Sequence, residues 1–346
     1  MRTRSKVTIK DVARAAGFST YTVSSVLNNK GDISQETSDK ILTVARELNY
    51  GTFGTVTAAK RMTSTSIGIV LPQIECLQAG FYNRAVSSFR NAASEHDLDC
   101  KLFTEADILK RLKERPNGGI SAVGCKGLLI FCPWEAHRQY LRPLLSNGIA
   151  TAIIRRNYPR TPGLFQLLND DANGMLQLLN YLYSEKKSRR MAYISPSYQH
   201  RNHPEDREAT FSKFADEFLK QKNVLSLEEN SQSNEEIYDQ LAAFIRERPK
   251  QRPALFGWSD ACAARIHSAM QARGLRSPDD FMVVGYNDDP VCLDLAPALT
   301  TIRIPIEEMV QSSCEYLASY VEDSALPPAK KARFPQTLML RGSTGD

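Results

Sequence analysis

The stretch Val7–Tyr50, VTIKDVARAAGFSTYTVSSVLNNKGDISQETSDKILTVARELNY, decides how the amino end of this chain is read. Thr8 with Asp11 three residues on has the form of a capping box, in which each satisfies a backbone donor that the first helical turn leaves open. Val12, Ala13 and Ala16 recur at helical spacing. Gly17 then stands where a helix closes on a left-handed residue. Ser19 caps a second helix, expected from Thr20 to about Asn28, with Val23, Val26 and Leu27 turned inward. Ser34 opens a third, expected to reach about Leu48 on a stripe of Ile41, Val44, Ala45 and Leu48. Three short helices, with a tight glycine turn between the first two, make a helix-turn-helix unit.

In such a unit the second helix enters the major groove amino end first. Its leading side chains, Thr20 and Tyr21, are then the expected base readers, with Ser25 one turn further along the same face. Ser19, Thr22, Ser24 and Asn28 are short hydrogen-bond formers suited to phosphate oxygens, and Lys6 and Thr8 flank the same surface. The plain alternative is a three-helix module in which Ser and Thr only cap. Charge bears on the choice. Residues 1–64 carry ten Lys and Arg against five Asp and Glu, while the remaining 34 basic and 34 acidic groups cancel. The whole +5 of the chain thus sits at one end, which points to a polyanionic partner for that end.

The rest of the 346 residues reads as a globular body, 42% hydrophobic and 24% charged. No run approaches the roughly 18 apolar residues of a membrane span. MRTRSKVTIK is not followed by an apolar segment, so no signal peptide and a cytoplasmic location are expected. Seven cysteines, odd in number and without a C-x-x-C pair, argue against a disulfide framework or a zinc site. His200 and His203 with Glu205 and Asp206 read as a solvated loop beside Pro204, so neither a metal nor a cofactor is expected. From Ser66 onward, apolar runs alternate with helical segments: Ser66–Pro72, Leu128–Cys132, Ala150–Arg155, Phe165–Asn169, Met191–Ser195, Ala254–Trp258 and Phe281–Tyr286. Near-continuous apolar strands between helices mean parallel sheets covered on both faces. The expected fold is therefore a small all-α headpiece followed by an α/β core of two parallel-sheet, Rossmann-like subdomains. A ligand belongs in the cleft outside the carboxyl ends of the strands.

The headpiece also closely resembles that of the LacI/GalR repressors, through T-I-K-D-V-A, A-G-x-S, T-V-S-x-V-L-N and Ser34-x-Glu36-Thr37. The core resembles the same family, whose cores are of the type I periplasmic-binding-protein kind. Its marks are Ser66-Ile67-Gly68, Asp170-Asp171-x-x-Gly174, Arg207 four residues before Phe211, Phe256-x-x-Ser259-Asp260 and Val283-Val284-Gly285-Tyr286-Asn287-Asp288. Pro297-Ala-Leu-Thr-Thr-Ile-Arg and Arg341-Gly-Ser-Thr-Gly complete them. By this resemblance Thr20, Tyr21 and Ser25 hold base-reading positions. Ser25 stands where the family usually has arginine, so a bidentate guanine contact is lost there. The linker 51–64 departs further: the family's proline is Thr52, and its minor-groove leucine aligns with Ala59, too small to wedge a base step. Val56 or Met62 could take that role, or the segment is a plain linker.

The resemblance implies effector contacts at Phe81 and Tyr82, at Arg207, at Ser259 and Asp260, and at Asn287, which replaces the usual aspartate. Trp134 and Trp258 follow strands directly and either stack on a ring or belong to the core. Arg155 stands where the family commonly has an acid at the cleft edge, with Arg207 on the opposing subdomain. Two guanidiniums at one pocket point to an anionic sugar derivative, unless Arg155 pairs with Asp170 or Asp171. The expected organisation is a DNA-binding domain over 1–50, a hinge over 51–64 and an effector-binding and dimerising core over 65–346. That core divides into about 65–165 plus 299–328 and about 166–298 plus 329–346. The expected function is a sequence-specific regulator, a repressor, binding a near-palindromic double-stranded operator as a homodimer under control of a sugar-like effector. The rivals are a cytoplasmic sugar-binding protein, or a sugar-active enzyme, with a fused helix-turn-helix. No G-x-G-x-x-G, P-loop, G-x-S-x-G or H-E-x-x-H supports the enzyme.

Overall fold

The computed structural model describes residues 8–27, 33–34, 37, 40–41, 43–44, 66–115, 119–131, 138–154, 161–196, 205–229, 233–323 and 326–346. The headpiece begins with α1 (Ile9–Ala16). The backbone N–H and the hydroxyl of Thr8 both donate to Asp11 Oδ2, at 2.8 and 2.6 Å. These bonds hold the Asp11 carboxyl below its usual range. Gly17 takes φ 77° and its N–H closes on Ala13 O at 3.0 Å. After α2 (Thr20–Leu27), residues 37, 40–41 and 43–44 are again helical, behind Ser34, whose hydroxyl accepts the Thr37 N–H at 3.4 Å. Val12, Ala16, Val23 and Ile41 close a small core with Phe18 and Val44 packed on it. Asn28, Ala45 and Leu48 lie outside the described residues.

The core strands are β1 (Ser66–Leu71), β2 (Asp99–Thr104), β3 (Gly127–Phe131), β4 (Ala150–Ile154), β5 (Leu164–Asn169), β6 (Met191–Ser195), β7 (Val224–Glu228), β8 (Ala254–Gly257), β9 (Met282–Asn287), β10 (Thr300–Arg303), β11 (Lys330–Phe334) and β12 (Thr337–Met339). They form two six-stranded sheets, ordered β11-β5-β4-β3-β1-β2 and β12-β10-β9-β8-β6-β7. Every pairing is parallel except β10 with β12. Within each sheet the first five strands follow one doubly wound order, 2-1-3-4-5. Chain direction across the sheet therefore reverses between β1 and β3, and again between β6 and β8. Ligands of such sheets bind outside the carboxyl ends at these switch points.

Alternation along the strands builds the layers. Ile67, Ile69 and Leu71 of β1 face α3 (Gly80–Glu95) and α10 (Ile306–Asp323), meeting Phe81, Phe89 and Leu317. Val70, Leu128, Ile130 and Ile153 face the other way, onto Leu112 and Leu144. In the second sheet Tyr193, Phe256 and Val284 pack under α6 (Asp171–Asn180) and α7 (Glu205–Phe218), while Ala192, Leu255 and Val283 meet α9 (Asp260–Ala272). The α3 layer and the α6–α7 layer belong to one continuous core that joins the two halves.

The division between halves differs from the expected one. Thr300–Arg303, expected with the first subdomain, pairs in the second sheet, and Lys330–Phe334, expected with the second, pairs in the first. Residue 165 falls inside β5, so the first boundary moves to Asp170. The chain thus crosses between halves at Asp170, at Ile304–Pro305 and at Pro335–Gln336. The resemblance placed the crossings correctly in number but not in register, because β10 and β11 are too short and too polar to announce a sheet.

Candidate DNA-reading face and effector cleft

On the headpiece, Tyr21 is 80% exposed at the leading end of α2, with Thr20 also exposed and Ser24 and Ser25 half-buried. Ser19 Oγ accepts the Thr22 N–H at 3.0 Å and lies 2.8 Å from the Thr22 hydroxyl. The Ser19 hydroxyl therefore already caps α2, the Thr22 hydroxyl is bonded to it, and Thr8 is likewise engaged with Asp11. Thr20 and Tyr21 present the open face. Lys6, Asn28 and Ala59 lie outside the described residues.

In the core, the carboxyl ends of the second sheet gather a dense polar group. Arg207, on α7, is 9% exposed. Its guanidinium lies 3.5 Å from the ring centroid of Tyr286, and one Nη donates to Trp258 O at 3.0 Å. The other is 3.5 Å from Asp171 Oδ1 and makes no hydrogen bond. Trp258, expected either to stack on a ligand or to pack inside, is partly buried and donates its indole N–H to Glu229 at 2.6 Å. Glu229 also pairs with Arg265. Asn287 ends β9 with φ 116°, followed by Asp288 at φ 59°, and its side-chain oxygen is buried without a partner. Two successive left-handed residues that are not glycine are costly and persist only where surrounding contacts fix them. Here Arg84 of α3 reaches across from the first half, donating to Asn287 O at 3.2 Å and Asp288 O at 2.8 Å, while Glu307 holds its other donors. Arg303 and Arg341 hold the Asp288 carboxylate at 2.7 and 2.6 Å.

Three expected contacts turn out differently. Asp260 is fully buried and accepts the Asp289 N–H at 2.8 Å and the Thr301 hydroxyl at 2.5 Å. It braces the β9 turn from inside, and burial pushes its carboxyl up despite those bonds. A side chain on Gly285 would strike it at 2.2 Å. Ser259 caps α9, its hydroxyl accepting the Cys262 N–H at 3.3 Å. Phe81 is 4% exposed and packs edge-on against Tyr82 and Phe131, so it is core, with half-buried Tyr82 nearer the surface. Trp134 and Arg155, like His200 and His203, lie outside the described residues. Of the two partners expected for Arg155, Asp170 stands 3.6 Å from Arg333, and Asp171 meets Arg207 and Gln336. Arg84, Asp289 and Gln336 were not legible as site residues, since nothing local marks them. Among the described residues no group of His, Cys, Asp and Glu is arranged to hold a metal, and no helix is long and apolar enough to cross a membrane.

Known proteins match both halves of this arrangement. Residues 8–52 match the lacI family of bacterial regulatory proteins, and residues 180–344 match a periplasmic binding protein-like domain. The ribose operon repressor of Halalkalibacterium halodurans is 24% identical over 350 residues, 97% of each chain. The transcriptional regulator DegA of Bacillus subtilis is 27% identical over 311 residues, 88% of each chain. Among solved structures, the regulator CelR in complex with cellobiose superposes with a TM-score of 0.64 at 21% identity, covering 97% of this chain and 99% of that one. The lac repressor dimer bound to operator and an anti-inducer gives 0.61 at 20%, covering 98% and 99%. A helix-turn-helix headpiece on a periplasmic-binding-protein-like core defines a DNA-binding transcription regulator and not an enzyme. The chain is a member of the LacI family.

Proposed function

We propose that this regulator is a repressor that binds a near-palindromic operator as a homodimer and changes its operator affinity when a neutral, polyhydroxylated sugar binds between the two subdomains. The observation that carries the effector reading is a set of buried polar atoms without partners at the carboxyl ends of the strands. They are both side-chain polar atoms of Asn169 at the end of β5, one Nη of Arg207, and Oδ1 of Asn287 at the end of β9. An unmade buried hydrogen bond costs about 1–3 kcal/mol, so a ligand rich in hydroxyls gains by supplying them. The names of similar regulators, a ribose operon repressor and a cellobiose-bound CelR, point to the same class. The expectation of an anionic sugar derivative rested on unbalanced guanidiniums. Asp171 at 3.5 Å now gives Arg207 a counter-charge, which removes half of that motive. Calorimetric titration of a neutral sugar against its acid and its phosphate tests the point, and tighter binding of the charged forms would overturn it.

The length of DNA to be read supports the dimer reading, because one helix-turn-helix reads only a few base pairs and a symmetric pair doubles that length. Tyr21→Ala is expected to cost about 1–3 kcal/mol on operator and little on random DNA, whereas Lys6→Ala weakens both and lowers the salt slope by about one unit. Equal losses on both DNAs for Tyr21→Ala, measured by gel shift, would remove the base-reading assignment. Sedimentation as a monomer with operator bound would remove the dimer.

A further inference from the structure

Gln336 occupies the third crossover between the subdomains and is 4% exposed. Its side-chain amide donates to Asp171 Oδ1 at 2.6 Å, beside the first crossover. Its side-chain oxygen accepts from the Tyr286 hydroxyl, which also lies 3.2 Å from Asp171 O. A side chain on Gly174 would meet that same oxygen at 2.0 Å, so the glutamine is clamped in place. Tyr286 in turn carries the Arg207 guanidinium on its ring at 3.5 Å.

One carboxylate oxygen therefore faces three donors, the weakest hydrogen bond among them being that of the Tyr286 hydroxyl at 3.4 Å. Gln336 Nε2 holds it at hydrogen-bond length, and Arg207 Nη2 stands 3.5 Å away with its bond unmade. A charged donor normally outcompetes a neutral one for a carboxylate. The inverted preference here is held by the fit of Gln336 between Tyr286 and Gly174. The observed arrangement has Asp171 hydrogen-bonded to Gln336, with Arg207 Nη2 held only as the looser ion pair at 3.5 Å; the competing one would hydrogen-bond Asp171 to Arg207 and release Gln336.

We propose that Gln336 is the positioning residue of a two-way switch: it keeps Asp171 from hydrogen-bonding to Arg207, and so leaves that guanidinium donor available to the effector. This rests on the reading that Arg207 grips the effector. Because Asp171 and Gln336 lie at two of the three crossovers, the choice between arrangements is made where the subdomains pivot. A ligand that occupies Arg207 favours the Gln336 arrangement, and loss of the ligand favours the other. That difference in affinity between two states is what a population shift requires.

The test is a double-mutant cycle of Gln336→Met and Arg207→Met, read without ligand by chemical denaturation of the full chain. When Gln336 is removed, Asp171 falls back on Arg207, so each single variant is cushioned by the other donor. The double variant is then expected to lower the folding equilibrium constant at least about threefold beyond the product of the singles. An Asp171→Asn background is expected to abolish that excess. Additive losses, or an excess that survives Asp171→Asn, would overturn the switch. Should the double variant fail to fold, a crystal structure of Gln336→Met decides: a direct Asp171–Arg207 hydrogen bond supports it, and an unmoved Asp171 overturns it. A thermal-shift series with D-ribose, cellobiose and ribose 5-phosphate on wild type and Arg207→Met separates the two readings. A sugar whose binding ignores Arg207→Met sinks the effector role of Arg207 and leaves the ligand-free cycle standing.

Discussion

The two sheets share one strand order yet, Asn169 at the end of β5 apart, end in opposite chemistry. At the carboxyl ends of the first sheet, Phe81, Tyr82 and Phe131 make an edge-to-face aromatic wall. At the second, Arg207, Asp260, Asn287 and Asp289 crowd together with 9% exposure or less. An apolar wall needs only area, which any sequence of large side chains supplies. A buried polar group needs every partner in place, because a half-satisfied network costs more than an apolar core. On the effector reading proposed above, the first half supplies packed apolar area beside the cleft and the second supplies the polar contacts that recognise the ligand. Arg84 is the point where the wall half reaches into the recognising half, on the carbonyls of the two left-handed residues.

The contrast is broken most severely by Phe131→Ala. Phe131 is 1% exposed at the end of β3 and touches both other rings of the wall. Its truncation is expected to cost about 3–5 kcal/mol of stability by denaturant titration, the range of large cavities. Ligand preference, measured as the ratio of affinities for two sugars, should stay put. A changed ratio would mean that the wall also reads.

Arg207→Met should do the reverse. Loss of a charged hydrogen-bond donor is expected to weaken the effector by about 10–100-fold, from the roughly 1.5–3 kcal/mol such bonds contribute. Tyr82→Leu, on the wall, should weaken it far less. Equal losses would erase the division of labour. Arg84→Met comes next. It leaves two carbonyls and Glu307 without their donor, and about 2 kcal/mol of stability is expected to go with it. Most of the change should appear as faster hydrogen exchange in the Asn287–Asp289 turn and not across the first sheet.

How far this contrast was legible in the sequence follows from the same physics. Strands covered on both faces read as apolar runs, and β1, β3, β4, β6, β8 and β9 stand within a residue or two of where the runs predict. Strands at sheet edges did not. Asp99–Thr104 has four of six residues exposed, and Lys330–Phe334 exposes Lys330, Lys331 and Arg333. One side of such a strand meets water, so its residues carry no continuous signal. Arg207 and Asn287 stood out in the sequence because family motifs surround them. Their partners were not, because Arg84 meets Asp288 across 204 residues and Gln336 meets Asp171 across 165. Asp260 shows the opposite failure: a motif places a carboxylate near a cleft without telling which way it faces, and this one faces inward.

The smallest effect expected is a pH dependence seated in the recognising half. Asp289 is 6% exposed between the amino end of α3 and the floor of the second subdomain. Burial raises its carboxyl first, and the neighbouring Asp260 adds to this. Arg84, the Phe81 N–H and the Asn287 side chain pull it back, leaving it at about 6. The folded state therefore holds this proton more tightly than the unfolded chain, in which an ordinary aspartate titrates near about 3.9. The contribution is fully present below the unfolded value and is lost as pH rises through about 6. Between pH 7 and pH 5 it should add about 1 kcal/mol of stability, set against whatever the other groups do over the same range. His267, held below its usual range by burial, works in the opposite direction. The comparison that isolates Asp289 is wild type against Asp289→Asn, titrated with denaturant at several pH values. The difference between them should narrow toward acid and widen toward pH 8, where the buried charge is costliest and the amide is free of it. Arg84→Met should move the midpoint of that difference upward, since it removes a group that holds the carboxylate down. A difference that stays flat from pH 4 to pH 8 would mean that Asp289 is ionised throughout. Arg84 would then be a full ion-pair partner and not a bridge that is mainly made to backbone carbonyls.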